Sequence, residues 1–115
     1  MNVKNKKSKG SRIELEIKAT LETEGYFVIK SGGSLSCVDL VALRNDEEGE
    51  CVVRFIQIKA NRMPPPAERK VLQKLAKVFS SPTVYVEIAV KPDRKPVEWF
   101  LVLPDKIMGK EKLVS

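Results

Sequence analysis

Hydrophobic residues recur along this chain with two periods, and the longer period predicts two helices. Ile13, Ile17 and Leu21 repeat at helical spacing, so the first helix has one apolar face and ends near Gly25. A second helical pattern covers residues 67–79, directly after a proline-rich segment that suits a first helical turn. The residues expected on its apolar face are Val71, Leu72, Leu75 and Phe79.

Short apolar segments, rich in branched and aromatic side chains and bounded by turn residues, predict strands. They cover residues 26–29, 38–43, 51–59, 84–90 and 97–103. The order is then αβββαββ, and the strand–helix–strand unit in the second half implies a parallel pair inside a mixed sheet. The predicted fold class is α/β, with a central mixed sheet flanked by helices.

The start of the chain differs from the rest because it is polar and rich in lysine. It predicts a flexible basic arm over residues 1–9, followed by a single domain over residues 10–115. Ser11 and Glu14 have the spacing of a capping box, which predicts that the first helix begins at Ser11.

The composition suits one compact domain, since 43% of the 115 residues are hydrophobic. No apolar run approaches the length of a membrane span, and the first residues do not resemble a signal peptide. We therefore expect a cytoplasmic protein without a membrane partner.

The absence of histidine from the sequence excludes several kinds of site. Ser-His-Asp and Cys-His catalysis are excluded, as is zinc held by histidine. A metal would have to be a hard ion bound by oxygen, which favours Mg²⁺, with Mn²⁺ as a substitute.

The net charge of +6 favours a polyanionic partner such as nucleic acid. The alternative, that the lysines only keep the chain soluble, is equally compatible with the charge alone. The basic residues expected at a DNA surface are Lys6, Lys7, Lys9, Arg12, Lys30 and Arg62.

The second and third predicted strands form a hairpin with a charged turn between them. A tip near Glu47 places Asp39 beside Gln57, and strand alternation places Gln57 and Lys59 on one face. A carboxylate, a second oxygen ligand and a lysine at strand ends form the arrangement by which one class of nucleases holds magnesium against a phosphodiester.

Several short motifs occur in the order found in one nuclease family. They read K-G-S-x-x-E at 9–14, G-Y at 25–26, V-I-K-S-G-G-S at 28–34, D-L-V-A at 39–42 and Q-I-K at 57–59. In these motifs the chain resembles the PD-(D/E)xK, restriction-endonuclease-like proteins, and within them the archaeal-type Holliday junction resolvases. The resemblance implies the restriction-endonuclease-like fold and the activity of a metal-dependent DNA endonuclease.

Two positions depart from the family pattern. Val38 stands where a proline precedes the aspartate, and Gln57 stands where an acid is expected. An amide oxygen can bind Mg²⁺ but brings no charge, so weaker or rearranged metal binding is implied. Glu68, early in the second helix, is the candidate for a migrated acid, although a glutamate there is also favourable against the helix dipole.

The resemblance implies a role for each matching residue. Asp39 would bridge the metal, and Glu14 would reach it from the first helix. The side chain of Gln57 and the main-chain carbonyl of Ile58 would complete the ligand set. Lys59 would act on the attacking water or on the phosphate oxygens.

Plainer interpretations stay open for some of these residues. Glu14 could serve only as the capping-box partner of Ser11, and Lys59 could be a solvated lysine at a strand end. Ser34 matches the loop serine that contacts the scissile phosphate in the family, although a loop serine needs no such role to be explained.

The expected function is a magnesium-dependent, structure-selective DNA endonuclease that resolves four-way junctions by paired nicks as a homodimer. Two other classes stay open, a nuclease of the same fold that acts on other branched or nicked DNA, and a DNA-binding module with weakened catalysis. An RNA-binding domain is disfavoured because the strands lack exposed aromatic residues. The apolar segment 99–103 is expected to form part of the dimer interface.

Overall fold

The computed structural model describes the backbone of residues 3–31 and 37–109 and the side chains of residues 10–31 and 37–109. The elements are α1 Val3–Thr23, β1 Phe27–Lys30, β2 Leu40–Asn45, β3 Cys51–Ala60, α2 Pro66–Val78, β4 Val84–Lys91, β5 Glu98–Val102 and β6 Ile107–Gly109. Neither helix is long and apolar enough to cross a membrane. The predicted fold class, a mixed sheet flanked by helices, is confirmed.

The strands form one sheet in the order β1-β2-β3-β4-β5-β6. The pair β3–β4 is parallel, because α2 carries the chain back across the sheet, and the other pairs are antiparallel. Ala60 therefore lies opposite Lys91 where β3 and β4 both end. We call this end of the sheet the carboxyl edge. Since β2 is antiparallel to β3, β2 begins at the carboxyl edge.

The two helices pack on opposite faces of the sheet, so each helix buries alternate residues of the strands. The core under α1 contains Ile13, Ile17, Leu21, Val28, Leu40, Ala42, Ile56 and Ala89. The core under α2 contains Val38, Leu72, Ala76, Val86, Ile88, Val90 and Val102. Strand alternation explains the division, since even-numbered residues of β3 face α1 and odd-numbered residues face α2.

The start of α1 differs from the prediction. The helix begins at Val3, so Ser11 lies inside it and the predicted capping box is wrong. Lysine is a good helix former, and one glycine at Gly10, which costs about 1 kcal/mol relative to alanine, does not end the helix. The division into an arm and a domain stays a prediction.

The apolar face of α2 also differs from the prediction. Leu72 is fully buried, but Val71 and Phe79 are 49% and 46% exposed. The helix covers β4 and β5, and Phe79, directly after it, contacts Phe55 of β3 with ring centroids 5.6 Å apart. The prediction of an inward-facing side chain is therefore wrong for Val71, whereas the half-exposed Phe79 packs one side of its ring against the sheet.

The third difference is at the end of the chain, where β6 pairs with β5 and was not predicted. A strand of three residues is too short to show alternation. Trp99 packs against the core under α1, and Phe100 packs against the core under α2. Trp99 and Phe100 are thus partly buried within the monomer, and the dimer interface at 99–103 stays a prediction.

Candidate active site

Asp39 lies directly before β2 at the carboxyl edge, and main-chain hydrogen bonds fix both its backbone and its carboxylate. Its own N–H donates to the carbonyl of Ile56 at 2.8 Å, and its carbonyl accepts from the N–H of Ser31 at 2.9 Å. The N–H of Ile58 donates to Asp39 Oδ2 at 2.7 Å. The N–H and C=O of one strand residue point to the same neighbour, so the carbonyl of Ile58 also faces Asp39.

The register of β2 and β3 agrees with the sequence prediction. Leu40 lies opposite Ile56, so the next pair along the strands is Asp39 and Gln57. A one-residue slip would exchange the buried and exposed faces of β2, and the hydrophobic pattern therefore fixes this register.

The carboxyl group of Asp39 lies in surroundings that penalise its negative charge. Burial raises the pKa of Asp39 above its ordinary value, and the charges of Glu14 and Glu68 raise it further. The hydrogen bond from Ile58 and the charge of Lys59 oppose this shift only in part. A bound cation would remove this penalty, because an opposite charge favours the ionised form.

A cleft of about 410 Å³ brings Glu14 together with Asp39. Its lining residues are Gly10, Ser11, Ile13, Glu14, Asp39, Ile58 and Ala60. Ile13 and Ile17 anchor α1 on the sheet. Glu14 follows Ile13 directly and therefore lies at the side of the helix, where it reaches the cleft. Glu14 also forms an ion pair with Lys30, at 3.0 Å between Oε1 and Nζ.

Gln57, the residue of β3 opposite Asp39, carries an unsatisfied polar atom and does not line this cleft. Its Oε1 is buried and has no hydrogen-bond partner among the residues that the structure describes. An unpaired buried acceptor costs about 1–3 kcal/mol, so the position is unfavourable without a ligand. An amide oxygen in this state is suited to a hard cation.

Lys59 projects from β3 toward α2, on the side of the sheet that alternation assigns to Gln57. Its Nζ lies 3.0 Å from Oε1 of Glu68, in the first turn of α2. Both side chains remain partly exposed, at 32% and 45%. Lys59 is therefore held at the carboxyl edge and stays accessible to a ligand.

The carboxylates at this edge do not form a cluster that could bind a metal by themselves. Among the described side chains of residues 10–31 and 37–109, no three Cys, Asp or Glu residues are grouped closely enough to hold a metal ion. The available oxygen ligands are two carboxylates, from Glu14 and Asp39, with the amide of Gln57 and the carbonyl of Ile58. Glu68 is engaged by Lys59 and lies outside this set.

A profile of the archaeal Holliday junction resolvase family matches residues 5–114. The chain belongs to this family. The solved structure of Hjc from Archaeoglobus fulgidus, a Holliday junction resolvase from an archaeal hyperthermophile, has the same fold with a TM-score of 0.61. That alignment has 22% identity and covers 87% of this chain and 86% of the Hjc chain. No significant match was found among functionally curated proteins.

Some residues that the family resemblance singled out lie outside the described part of the chain. Ser34 belongs to residues 32–36, which the structure does not describe, and so do the side chains of Lys6, Lys7 and Lys9. Arg12, Lys30 and Arg62 are described, and all of them are exposed.

The ion pairs Lys30–Glu14 and Lys59–Glu68 are new relative to the sequence prediction. Each pair joins a strand end to a helix, and no local sequence pattern reports such a contact. The sequence did single out the two residues separately. Lys59 ends the Q-I-K motif, and Glu68 lies early in the second predicted helix.

Proposed function

We propose that this member of the archaeal Holliday junction resolvase family is a magnesium-dependent DNA endonuclease that resolves four-way junctions by paired nicks. The observation that carries the proposal is the meeting of Asp39 and Glu14 in one cleft, with Lys59 near the end of the neighbouring strand. Family membership and the A. fulgidus structure support this proposal.

The oxygen ligands at the carboxyl edge fit a hard divalent cation in their chemistry. Glu14, Asp39, Gln57 and the carbonyl of Ile58 would hold Mg²⁺, and Mn²⁺ could substitute for it. The unpaired Oε1 of Gln57 supports this assignment, because a cation would satisfy an acceptor that has no protein partner in the described residues. When bound, the ion supplies a lowered pKa for an attacking water and a polarised phosphate.

The remaining steps belong to side chains of this chain. The Lys59 ammonium stabilises the negative charge that develops on the phosphate oxygens, because it lies at the same edge as Asp39 and is partly exposed. Glu68 holds Lys59 in place through its ion pair. Lys30 competes with the metal for Glu14 in the free protein, and DNA phosphates would draw that lysine away.

DNA recognition is proposed to use phosphates and the branched shape, with little reading of bases. Arg12, Lys30 and Arg62 present exposed charges around the carboxyl edge. The helical backbone from Val3 would carry Lys6, Lys7 and Lys9 beyond this edge, and Ser34 would contact the scissile phosphate.

A homodimer is proposed because a four-way junction offers two equivalent strands to a two-fold symmetric enzyme. The sheet face beside α2 supports a second copy of the chain as the partner. Phe27 and Ile29 are 69% and 47% exposed there. Ile29 lies opposite Val41, which is only partly buried against the core under α2, so the exposed apolar surface extends from β1 onto β2.

Sedimentation at micromolar concentration tests this interface. The wild type should sediment as a dimer, and Phe27→Lys combined with Ile29→Lys should sediment as a monomer. Leu15→Lys is the matched control, since Leu15 is 55% exposed on α1 and outside the proposed interface. A wild-type monomer that still cleaves junctions would overturn the dimer proposal.

The decisive experiment compares DNA substrates with and without Mg²⁺. A labelled four-way junction is incubated beside a linear duplex, a nicked duplex and a flap of the same sequence. We expect Mg²⁺-dependent cleavage of the junction, with Asp39→Asn as the control for contaminating nucleases. On a plasmid that extrudes a cruciform, paired nicks in one encounter give linear product, and independent nicks give nicked circles first.

A DNA-binding module with weakened catalysis is the second candidate, and Gln57 in the acid position favours it. Junction binding without cleavage in any divalent metal would support this candidate. Cleavage of flaps or nicked duplex in preference to the junction would indicate a nuclease of the same fold with another substrate.

A further inference from the structure

The turn after β4 lies at the carboxyl edge, close to the candidate active site. Because β3 and β4 are parallel, Lys91 at the end of β4 lies opposite Ala60 at the end of β3. The chain then turns through residues 92–95 before β5 begins at Glu98. The turn would therefore lie within reach of a DNA strand bound at the carboxyl edge.

Asn61 fastens the turn to the end of β3. Its N–H donates to the carbonyl of Lys91 at 3.0 Å, and its Oδ1 accepts from the N–H of Asp93 at 2.8 Å. The backbone of Asn61 is left-handed, with φ of 67°, a conformation that asparagine tolerates better than most residues. Two residues after Lys59, the chain thus grips the neighbouring turn.

The turn presents basic side chains to solvent. Arg94 and Lys95 are exposed, and Arg94 itself has a left-handed φ of 61°. Such a backbone conformation is uncommon and persists where the surrounding structure holds it. The N–H of Lys95 donates to the carbonyl of Pro92 at 3.4 Å, which closes the turn.

A small cleft of about 160 Å³ joins the turn to α1. Its charged lining residues are Arg12, Glu16, Lys91, Asp93 and Arg94. Lys91 Nζ is occupied by the carbonyl of Pro92 at 3.1 Å. The acidic residues inside the cleft disfavour a phosphate at its floor, so the exposed tip of the turn is the part suited to DNA.

We propose that the turn 92–95 is a DNA-contact element, in which Arg94 and Lys95 bind backbone phosphates of the duplex arm beside the scissile phosphate. This inference rests on the proposed function and adds a surface that the basic residues of the family motifs do not include. Asn61 acts as the positioning residue, because it holds the turn in register with the strand that carries Lys59.

Salt-dependent binding of a fluorescent four-way junction, measured by anisotropy with EDTA present, tests the proposal. Arg94→Asn combined with Lys95→Gln removes both charges, and asparagine tolerates the left-handed backbone at 94. Each phosphate contact contributes about 0.9 to the slope of log K against log salt. The double variant should therefore lower that slope by up to about 1.8.

The matched control is Lys74→Gln combined with Lys77→Gln, which removes the same charge from exposed positions of α2. This control should leave the slope near the wild-type value. A double variant of the turn with the wild-type slope, or with no larger change than the control, would overturn the proposal. Thermal unfolding of each variant identifies a loss of fold.

Asn61→Gly separates positioning from charge. Glycine adopts the left-handed conformation freely, so the backbone path is kept while the hydrogen bond to Asp93 is lost. We expect weaker junction binding than in the wild type, with a smaller loss than in the Arg94→Asn, Lys95→Gln variant. Wild-type affinity in Asn61→Gly would remove Asn61 from the proposal.

The same samples keep this proposal separate from the proposed function. Wild-type protein that binds and cleaves the junction while the turn variants bind with the wild-type slope would reject the turn and leave the nuclease intact. Wild-type protein that does not bind the junction would reject both.

Discussion

Strand β3 carries polar side chains in two regions that differ in how well these groups are satisfied. In its first half, Arg54 donates to both carboxylate oxygens of the buried Glu87, at 2.8 and 2.7 Å. The guanidinium also lies 5.1 Å from the ring centroids of Tyr26 and Trp99. At the carboxyl edge, the buried Oε1 of Gln57 has no partner in the described residues.

The charges respond differently in the two regions. Burial alone would lower the pKa of Arg54, but the hydrogen bonds and charge of Glu87 outweigh it and raise this pKa above its ordinary value. At Asp39, burial raises the pKa, and the hydrogen bond from Ile58 and the charge of Lys59 do not cancel this rise. The Arg54–Glu87 pair is complete within the protein, whereas the positive charge of Lys59 only partly compensates the charge of Asp39, and a bound cation could supply the rest.

This difference indicates separate roles for the two regions. Breaking a buried ion pair is costly because one charge remains buried and unpaired, so Arg54 and Glu87 fix the sheet. The groups at the carboxyl edge cost stability in the free protein and gain partners from a cation and DNA. Variants that change one region and leave the other intact test this division.

Asp39→Asn should reduce junction cleavage by about 10³-fold or more, since it removes the carboxylate proposed to hold the metal. Junction binding measured with EDTA should remain within about twofold, because the basic surface is unchanged. Equal loss of binding and cleavage would show that Asp39 is structural, and the contrast between the two regions of β3 would then disappear.

Glu87→Gln should lower the free energy of unfolding by about 3 kcal/mol, because the Arg54 charge stays buried without its partner. Urea unfolding measures this loss, and cleavage per folded molecule should be unchanged. Replacing the pair together, Arg54→Met with Glu87→Leu, should recover much of the stability. A variant that keeps its stability but loses cleavage would place this pair in the active site.

The pH dependence of stability should also distinguish the two regions, with a smaller effect on the free energy of unfolding. The pKa of Asp39 is raised in the folded protein, so the ionised carboxylate destabilises the fold at pH values above that raised pKa. As the pH falls through it toward the ordinary pKa, this cost disappears. With EDTA, Asp39→Asn should therefore gain stability over the wild type as the pH rises, and added Mg²⁺ should reverse the order.

Urea unfolding at several pH values between about 4 and 8 checks this expectation. A constant difference between Asp39→Asn and the wild type would mean that the carboxylate has an ordinary pKa. The same titration of Glu87→Gln should show a large loss at every pH in the range, because its partner Arg54 stays charged throughout.

The sequence was sufficient to predict the region that the hydrophobic pattern controls. Alternation in β2 and β3 fixed which residues face the core, and the register that places Asp39 beside Gln57 followed. The position of Glu14 in one cleft with Asp39 was predicted only from the family resemblance, because a helix and a strand end meet through tertiary packing and not through a local pattern.

The other region was not predicted, and the reason is physical. A lone arginine in a strand is usually exposed, and Glu87 is 33 residues away in the sequence. Only the parallel register, which sets Arg54 opposite Tyr85, brings the arginine beside Glu87. The helical start at Val3 was missed for a simpler reason, since a lysine-rich segment is compatible with either helix or coil.

Substitutions at Gln57 can change how well the polar groups at the carboxyl edge are satisfied. Gln57→Glu adds a negative charge beside Asp39, so it should tighten metal binding and lower the Mg²⁺ concentration for half-maximal cleavage by a few fold. The gain is limited because Asp39 and Glu14 repel the new charge in the metal-free protein. Gln57→Leu should do the opposite, with about 1 kcal/mol of added stability from removing the unpaired acceptor and a higher Mg²⁺ requirement.

Glu68→Gln supplies the comparison that decides how the missing charge is provided. Glu68 is bound to Lys59 and belongs to no metal-binding group in the described residues, so this variant should be less damaging than Asp39→Asn. If it is equally damaging, and Gln57→Glu then gives no improvement, Glu68 already provides the charge that Gln57 lacks. If none of the changes at 57 and 68 alters the Mg²⁺ dependence, the ion does not use this part of β3, and the role proposed for Gln57 is wrong.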